Sequence, residues 1–152
     1  MAFMASNPGC KTKLFFHGSK NENFWSILKN GLLLNPNATI TGKLLGNGIY
    51  FADKAIKSYN YTSLRGTTWA HGNDNVGYLA IFAVALDLSN VYEVTSYNEI
   101  STCHGMTWDK LQKIKPNATY VFAHKGSYLK ENEICIYRDD QCTIRYLVEL
   151  KI

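Results

Sequence analysis

Apolar positions follow two rhythms along this chain, and each predicts a kind of element. Phe24, Ile27, Leu28 and Gly31 recur at i, i+3, i+4 and i+7, the spacing of one buried helix face, and predict a helix over residues 21–30. Ser19-Lys20-Asn21-Glu22 reads as its capping box and Gly31 as its stop. Elsewhere the runs are short and β-like. Lys13-Leu14-Phe15-Phe16-His17 predicts a strand ending at Gly18, and residues 48–52 predict another, followed by a turn over 54–60 that Asp53 would cap. Residues 78–86 are apolar on both faces, as in a strand buried between layers, although periodicity alone leaves a buried helix open. Residues 91–94 predict one more strand. Residues 133–137 and 143–152 flank Arg138-Asp139-Asp140-Gln141 as a hairpin would. In the last run Ile144, Tyr146, Val148, Leu150 and Ile152 alternate with Thr143, Arg145, Glu149 and Lys151, with Leu147 the exception, so one face is expected to be buried.

Between these elements the pattern weakens. Residues 1–12 are expected to be a flexible lead-in, and 13–152 a single domain. Residues 32–34 are too few to classify, 35–46 read as a loop around Pro36, Asn37 and Gly42, and 62–77 as an exposed excursion. Residues 95–130, broken by Gly105, Pro116 and Gly126, read as a long loop. Many strands and few short helices, without βα alternation, give an α+β fold of packed sheets.

Composition changes this picture little. The 152 residues are 46% hydrophobic and 13% aromatic, with ten tyrosines, an amount suited to lining a cleft with rings whose far ends stay polar. The net charge of +4 is too scattered for a nucleic-acid surface and mildly favours anionic ligands, with Lys43 the cation best placed to meet a pyrophosphate. Cys10, Cys103, Cys135 and Cys142 form no C-x-x-C pair, and no secretory or membrane-spanning run is evident. Reduced thiols and an intracellular protein are expected, so the sequons at Asn37, Asn60 and Asn117 carry no weight. Cys103, His104 and His124 match no zinc spacing, and no metal is expected.

Candidate chemistry concentrates in residues 42–61. Gly42, Gly46 and Gly48 allow tight turns and close approach to a ligand, while Tyr50, Ser58, Tyr59 and Tyr61 offer aromatic faces and hydroxyls to a flat, amide-bearing ring. The glycine spacing is neither that of a Rossmann loop nor that of a P-loop.

Three separated blocks, His17-Gly18-Ser19, Gly48-Ile49-Tyr50-Phe51-Ala52-Asp53 with Lys57-Ser58-x-x-Tyr61, and Asn132-Glu133, resemble the His-Tyr-Glu signature of the poly(ADP-ribose) polymerase catalytic domain, a diphtheria-toxin-like ADP-ribosyltransferase. Residues 84–93 also look like that family's central strands, and the resemblance runs from Lys13 to Ile152. It implies two packed, mostly antiparallel sheets with short flanking helices around an NAD⁺ cleft. It implies an enzyme that moves ADP-ribose from NAD⁺ to protein side chains and releases nicotinamide. On this resemblance His17 would bond the adenosine ribose with Ser19 nearby, and the Gly18 backbone and Ser58 hydroxyl would hold the carboxamide. Tyr61 would stack on the nicotinamide, Tyr50 would cover its other side, and Glu133 would accept from the ribose 2′-hydroxyl. His17, Tyr50 and Glu133 are thus the expected catalytic set.

Breaking the ribose–nicotinamide bond builds positive charge on the sugar, so a fixed carboxylate beside it is the chemistry required. Each residue also has a plainer use: Ser19 and Asp53 as caps, Tyr50 and Tyr61 as core rings, Glu133 as a solvated strand end. The short segment before His17 leads us to expect no regulatory helical domain and no DNA-binding module, and a monomer without membrane association whose acceptor protein the sequence does not name. Glu133 permits chain elongation, while the compact loops leave single-unit transfer the basic expectation. NAD⁺ hydrolysis, or NAD⁺ or ADP-ribose binding without turnover, are the competing readings. An NAD⁺-dependent RNA 2′-phosphotransferase would need a basic cluster that is absent.

Overall fold

The computed structural model describes residues 2–34, 44–64 and 75–151. The expectations for Pro36, Asn37, Gly42 and Lys43, for residues 65–74 and for Ile152 fall outside the described residues. The order is α1 (Ala2–Ala5), β1 (Lys11–Gly18), α2 (Asn21–Asn30), β2 (Ile49–Phe51), α3 (Ala55–Tyr59), β3 (Val76–Leu86), β4 (Val91–Val94), α4 (Tyr97–Thr102), α5 (Trp108–Ile114), β5 (Tyr120–Ala123), β6 (Glu133–Ile136) and β7 (Cys142–Lys151). One sheet has the order β1-β3-β7, all antiparallel; the other is β2-β6-β5-β4, antiparallel except for β4 with β5. Phe16 and Ala52 bridge the two sheets, each N–H donating to the other's C=O at 2.8 and 3.0 Å.

Two apolar layers hold this α+β arrangement. Between the sheets lie Phe24, Ile27, Ile49, Phe51, Phe82, Val84, Ile134 and Ile136. Behind the four-stranded sheet, Leu45, Val94, Met106, Leu111, Val121, Cys135 and Tyr137 form a second layer under α4 and α5. After Glu133, β6 is apolar because it serves both: Ile134 and Ile136 point into one layer, and Cys135, with Tyr137 just past the strand, into the other. Each such buried side chain contributes roughly 1.5–3 kcal/mol relative to exposure. Residues 78–86 are the buried strand β3 rather than a helix. Among the described residues no helix is long and apolar enough to cross a membrane.

Several expectations are corrected. Strands β6 and β7 do not form a hairpin. A 3₁₀ turn at Asp139–Gln141 carries the chain from one sheet to the other, and buried Gln141 anchors it by donating to the carbonyls of Ala85 and Thr119 at 3.2 and 2.9 Å. Cys135 and Cys142 therefore lie in different sheets, and none of the four cysteines forms a disulfide. Strand β7 is an edge strand with a bulge. Ile81 faces Tyr146 but Phe82 faces Ile144, so Arg145 is extra and the alternation flips there. Ile144 packs on the core while Tyr146 stays 60% exposed.

Residues 95–130 are not a long loop but contain α4, α5 and β5. Polar side chains start both helices: Ser96 Oγ accepts from Glu99 N–H at 3.3 Å and Thr107 Oγ1 from Lys110 N–H at 3.2 Å. The first residues do not hang free either, since Asn7 is buried, donates to the carbonyls of Phe3 and Asp140 at 2.8 and 2.7 Å, and accepts from Arg138 Nη2 at 3.0 Å. Helix α2 has the expected bounds and its Gly31 stop, with φ of 76° and an N–H to the Ile27 carbonyl. Its cap is Lys20 rather than Ser19, whose Oγ accepts from Asn23 Nδ2 instead, and Leu28 faces solvent. Lys54, not Asp53, precedes α3.

Candidate active site

The bridge between the sheets sets the geometry of the cleft. Because Phe16 exchanges both of its backbone bonds with Ala52, its N–H and C=O point away from β3. Two residues further along the same strand, Gly18 turns its own N–H and C=O to that edge. The residue there is dictated by contact: a Cβ on Gly18 would lie 1.9 Å from the Ser58 carbonyl oxygen. That carbonyl accepts from Tyr61 N–H at 3.0 Å, so Ser58 links the Gly18 edge to the Tyr61 ring. Lys20 Nζ to the Thr62 carbonyl and Asn21 N–H to Ser63 Oγ, both 2.8 Å, tie the start of α2 to the chain just after Tyr61.

His17 and Tyr50 form the opposite, closed side. His17 Nδ1 lies 2.9 Å from the Tyr50 carbonyl and its ring meets Phe51 and Phe82 edge-on, with centroids 5.9 Å away. Burial holds its pKa below the ordinary value, the bond to Tyr50 opposing this, so the imidazole is neutral near pH 7 with Nδ1–H donating. The Tyr50 hydroxyl accepts from Leu45 N–H at 3.0 Å and donates to the Gly46 carbonyl at 2.7 Å. Burial raises its pKa far above the usual phenol range. Gly46 has φ of 83° and Gly48 abuts β6, where a Cβ would lie 2.3 Å from Cys135 Sγ. These two glycines permit packing of the protein on itself, a correction to their reading as places of ligand approach.

The open side carries the charge. Glu133, nearly buried as the first residue of β6, pairs with Ala123, and its Oε2 is 3.4 Å from Lys57 Nζ. Burial raises its pKa, and Lys57 offsets part of that by charge and hydrogen bonding. Tyr61 is 58% exposed, yet its hydroxyl pKa is raised by partial burial and then by the neighbouring Glu133 charge. The fold thus brings His17, Gly18, Tyr50, Ser58, Tyr61 and Glu133 close together, while the Ser19 hydroxyl is taken up by Asn23. Lys57 is the partner the sequence reading passed over; its place beside Ser58 within the central block was the available signal.

Such a cleft offers a peptide edge with one donor and one acceptor, a hydroxyl, an aromatic face and a poorly solvated carboxylate. That set suits a flat amide beside a centre that becomes positive. Among the described residues no three His, Cys, Asp or Glu side chains gather as metal ligands, and His124 instead lies 3.4 Å from Glu93.

Comparison with known proteins identifies the family. The family model described as "Poly(ADP-ribose) polymerase catalytic domain" matches residues 2–152. The poly [ADP-ribose] polymerase-like protein 100L of invertebrate iridescent virus 6 is 31% identical over 150 residues, covering 97% of this chain and 76% of that protein. Poly [ADP-ribose] polymerase 1 of Gallus gallus is 32% identical and poly [ADP-ribose] polymerase 2 of Homo sapiens 30%, each over 91% of this chain. The chain spans only 15% and 26% of the length of those two.

Proposed function

The chain belongs to the poly(ADP-ribose) polymerase catalytic-domain family, and from that premise we propose that it is an NAD⁺-dependent ADP-ribosyltransferase acting on protein side chains, with nicotinamide as the leaving group. The observation that carries this reading is the nearly buried Glu133 carboxylate beside the exposed Tyr61 ring, which Ser58 links to the open backbone edge of Gly18. NAD⁺ is the substrate, and its glycosidic bond supplies the reactive centre.

The residues divide the work. Gly18 N–H and C=O complement the acceptor and donor of a carboxamide, and the Ser58 hydroxyl donates to the same group. Tyr61 stacks on the pyridine ring and Tyr50, held by Leu45 and Gly46, backs the other side. His17, with Nδ1–H committed to Tyr50, presents neutral Nε2 as an acceptor for a ribose hydroxyl, and Ser19 lies beside it. Glu133 accepts from the nicotinamide-ribose hydroxyl and stabilises the positive charge that builds as nicotinamide departs. Nicotinamide leaves neutral, so no general acid is needed. Lys57 favours the ionised carboxylate and so offsets part of the effect of its burial.

Single-unit transfer is the basic activity of this reading, and Glu133 permits elongation. Cys10, Cys103, Cys135 and Cys142 as thiols outside any disulfide support an intracellular setting. Incubation with labelled NAD⁺ and a cell lysate, resolved by size, tests it. A discrete labelled band means single-unit transfer and a ladder means polymer. NAD⁺ loss without protein label means hydrolysis, and binding without NAD⁺ loss means a binding module; either of the last two overturns the transferase.

A further inference from the structure

The residue before Glu133 bonds in two directions. Asn132 Oδ1 accepts from Lys125 N–H at 2.8 Å, and its Nδ2 donates to Asp53 Oδ2 at 2.9 Å. The first bond secures the turn after β5, where Gly126 and Leu129 bridge each other. The second reaches the residue that leads from Ala52 into the segment carrying Lys57, Ser58 and Tyr61. On either side Lys57 makes matching ties, to the Glu131 carbonyl at 3.2 Å and to the Glu133 carboxylate at 3.4 Å. Residues 131, 132 and 133 are therefore each fastened to residues 53–57, and Asn132 supplies the middle fastening.

We propose that Asn132 is a positioning residue: it locks the carboxylate-bearing start of β6 to the segment bearing Ser58 and Tyr61, so that charge and ring keep one mutual geometry. This rests on the transferase reading above. Asp53 is exposed and Asn132 partly so, and water competing for both groups keeps the contribution of this bond to stability small. Its effect is on placement, since displacement of a reacting group by about 1 Å can cost on the order of 10²-fold in rate.

Nicotinamide release by the full chain tests the proposal. Asn132→Ala, or Asn132→Ser should the alanine variant melt early, lowers kcat roughly tenfold while KM for NAD⁺ stays within about twofold. Asn132→Asp sets two carboxylates against each other and is at least as harmful. Combining Asn132→Asp with Asp53→Asn exchanges amide and carboxylate, regenerates the bond in the opposite direction, leaves an acceptor for Lys125 N–H, and recovers most of kcat. Wild-type kcat in the alanine or serine variant, or a double variant no better than Asn132→Asp alone, overturns the proposal. A second readout needs no turnover: the carbon-13 titration of the Glu133 carboxyl, which faces Lys57, Tyr61 and Tyr50, with Glu131, Lys54 and Asp53 close by. Its midpoint rises in Asn132→Ala as the 53–57 segment that carries Lys57 shifts relative to β6 and lengthens the Lys57–Glu133 contact, and an unchanged curve overturns the proposal. If the wild-type chain releases no nicotinamide, the transferase reading fails by itself and this titration still decides the role of Asn132.

Discussion

Tyr50 and Tyr61 are the two walls proposed for one ring, and the protein treats them in opposite ways. Tyr50 lies within β2, its hydroxyl committed to Leu45 and Gly46 and its carbonyl to His17. Tyr61 follows α3, with its backbone fixed by the Ser58 carbonyl and 58% of the residue left to solvent. One wall is finished by the fold and the other keeps its ring in solvent. Stability should therefore reside on the His17–Tyr50 side, and ligand affinity and reactivity on the Tyr61–Glu133 side.

Gly18 lies where the two sides meet, and Gly18→Ala should do most damage to both. The added Cβ would meet backbone, 1.9 Å from the Ser58 oxygen, so β1 and α3 must separate. Overpacking of this kind costs about 1–3 kcal/mol or more, and it displaces the carboxamide edge as well. Thermal melting should fall by several degrees and NAD⁺ binding by calorimetry should be lost; intact binding would remove Gly18 from the site.

Matched tyrosine substitutions separate the walls. Tyr50→Phe strands the Leu45 N–H and the Gly46 carbonyl and should destabilise by about 1–3 kcal/mol. Tyr61→Phe should leave the melting temperature unmoved. Conversely, Tyr61→Ala should weaken NAD⁺ binding by about 1–3 kcal/mol, the scale of ring stacking on a base, with little change in melting. Equal melting losses for Tyr50→Phe and Tyr61→Phe would abolish the contrast.

A smaller effect is expected in pH dependence. Burial raises the Glu133 pKa above its ordinary 4.5, so the acid limb of kcat should fall at higher pH than for a solvated glutamate. Lys57→Met removes the offset and should move that limb further up. For stability the sign is the reverse of the usual carboxylate. Between 4.5 and the raised value the native state holds more protons than the unfolded chain, so this group's contribution is full at low pH and is lost as pH rises through the native pKa. A limb that Lys57→Met leaves unmoved would detach Lys57 from Glu133.

Much of this was legible in the sequence because local signals and tertiary use coincide. The α2 periodicity, the Gly31 stop and the doubly buried β3 each follow from patterns that the core enforces. The β6–β7 hairpin was misread because turn residues mark a reversal without saying which sheet receives the next strand. The Arg145 bulge hid the flip in β7, since period-two counting assumes unbroken pairing. Short helices such as α4 and α5 hold too few turns for periodicity, although the Ser96 and Thr107 caps were there to be seen. The candidate site residues were readable from three blocks, whereas the ties of Lys57 and Asn132 depend on contacts between segments far apart in sequence.

The most direct test compares nicotinamide release from NAD⁺ by the wild-type chain and by Glu133→Gln, which keeps size and hydrogen bonding but removes the charge. Loss of a group that stabilises developing charge costs on the order of 10²–10³ in kcat. A fall of that size, with NAD⁺ affinity within a few-fold of wild type, is the predicted result; equal rates from the two proteins would contradict the assignment of Glu133 as the charge that drives the reaction.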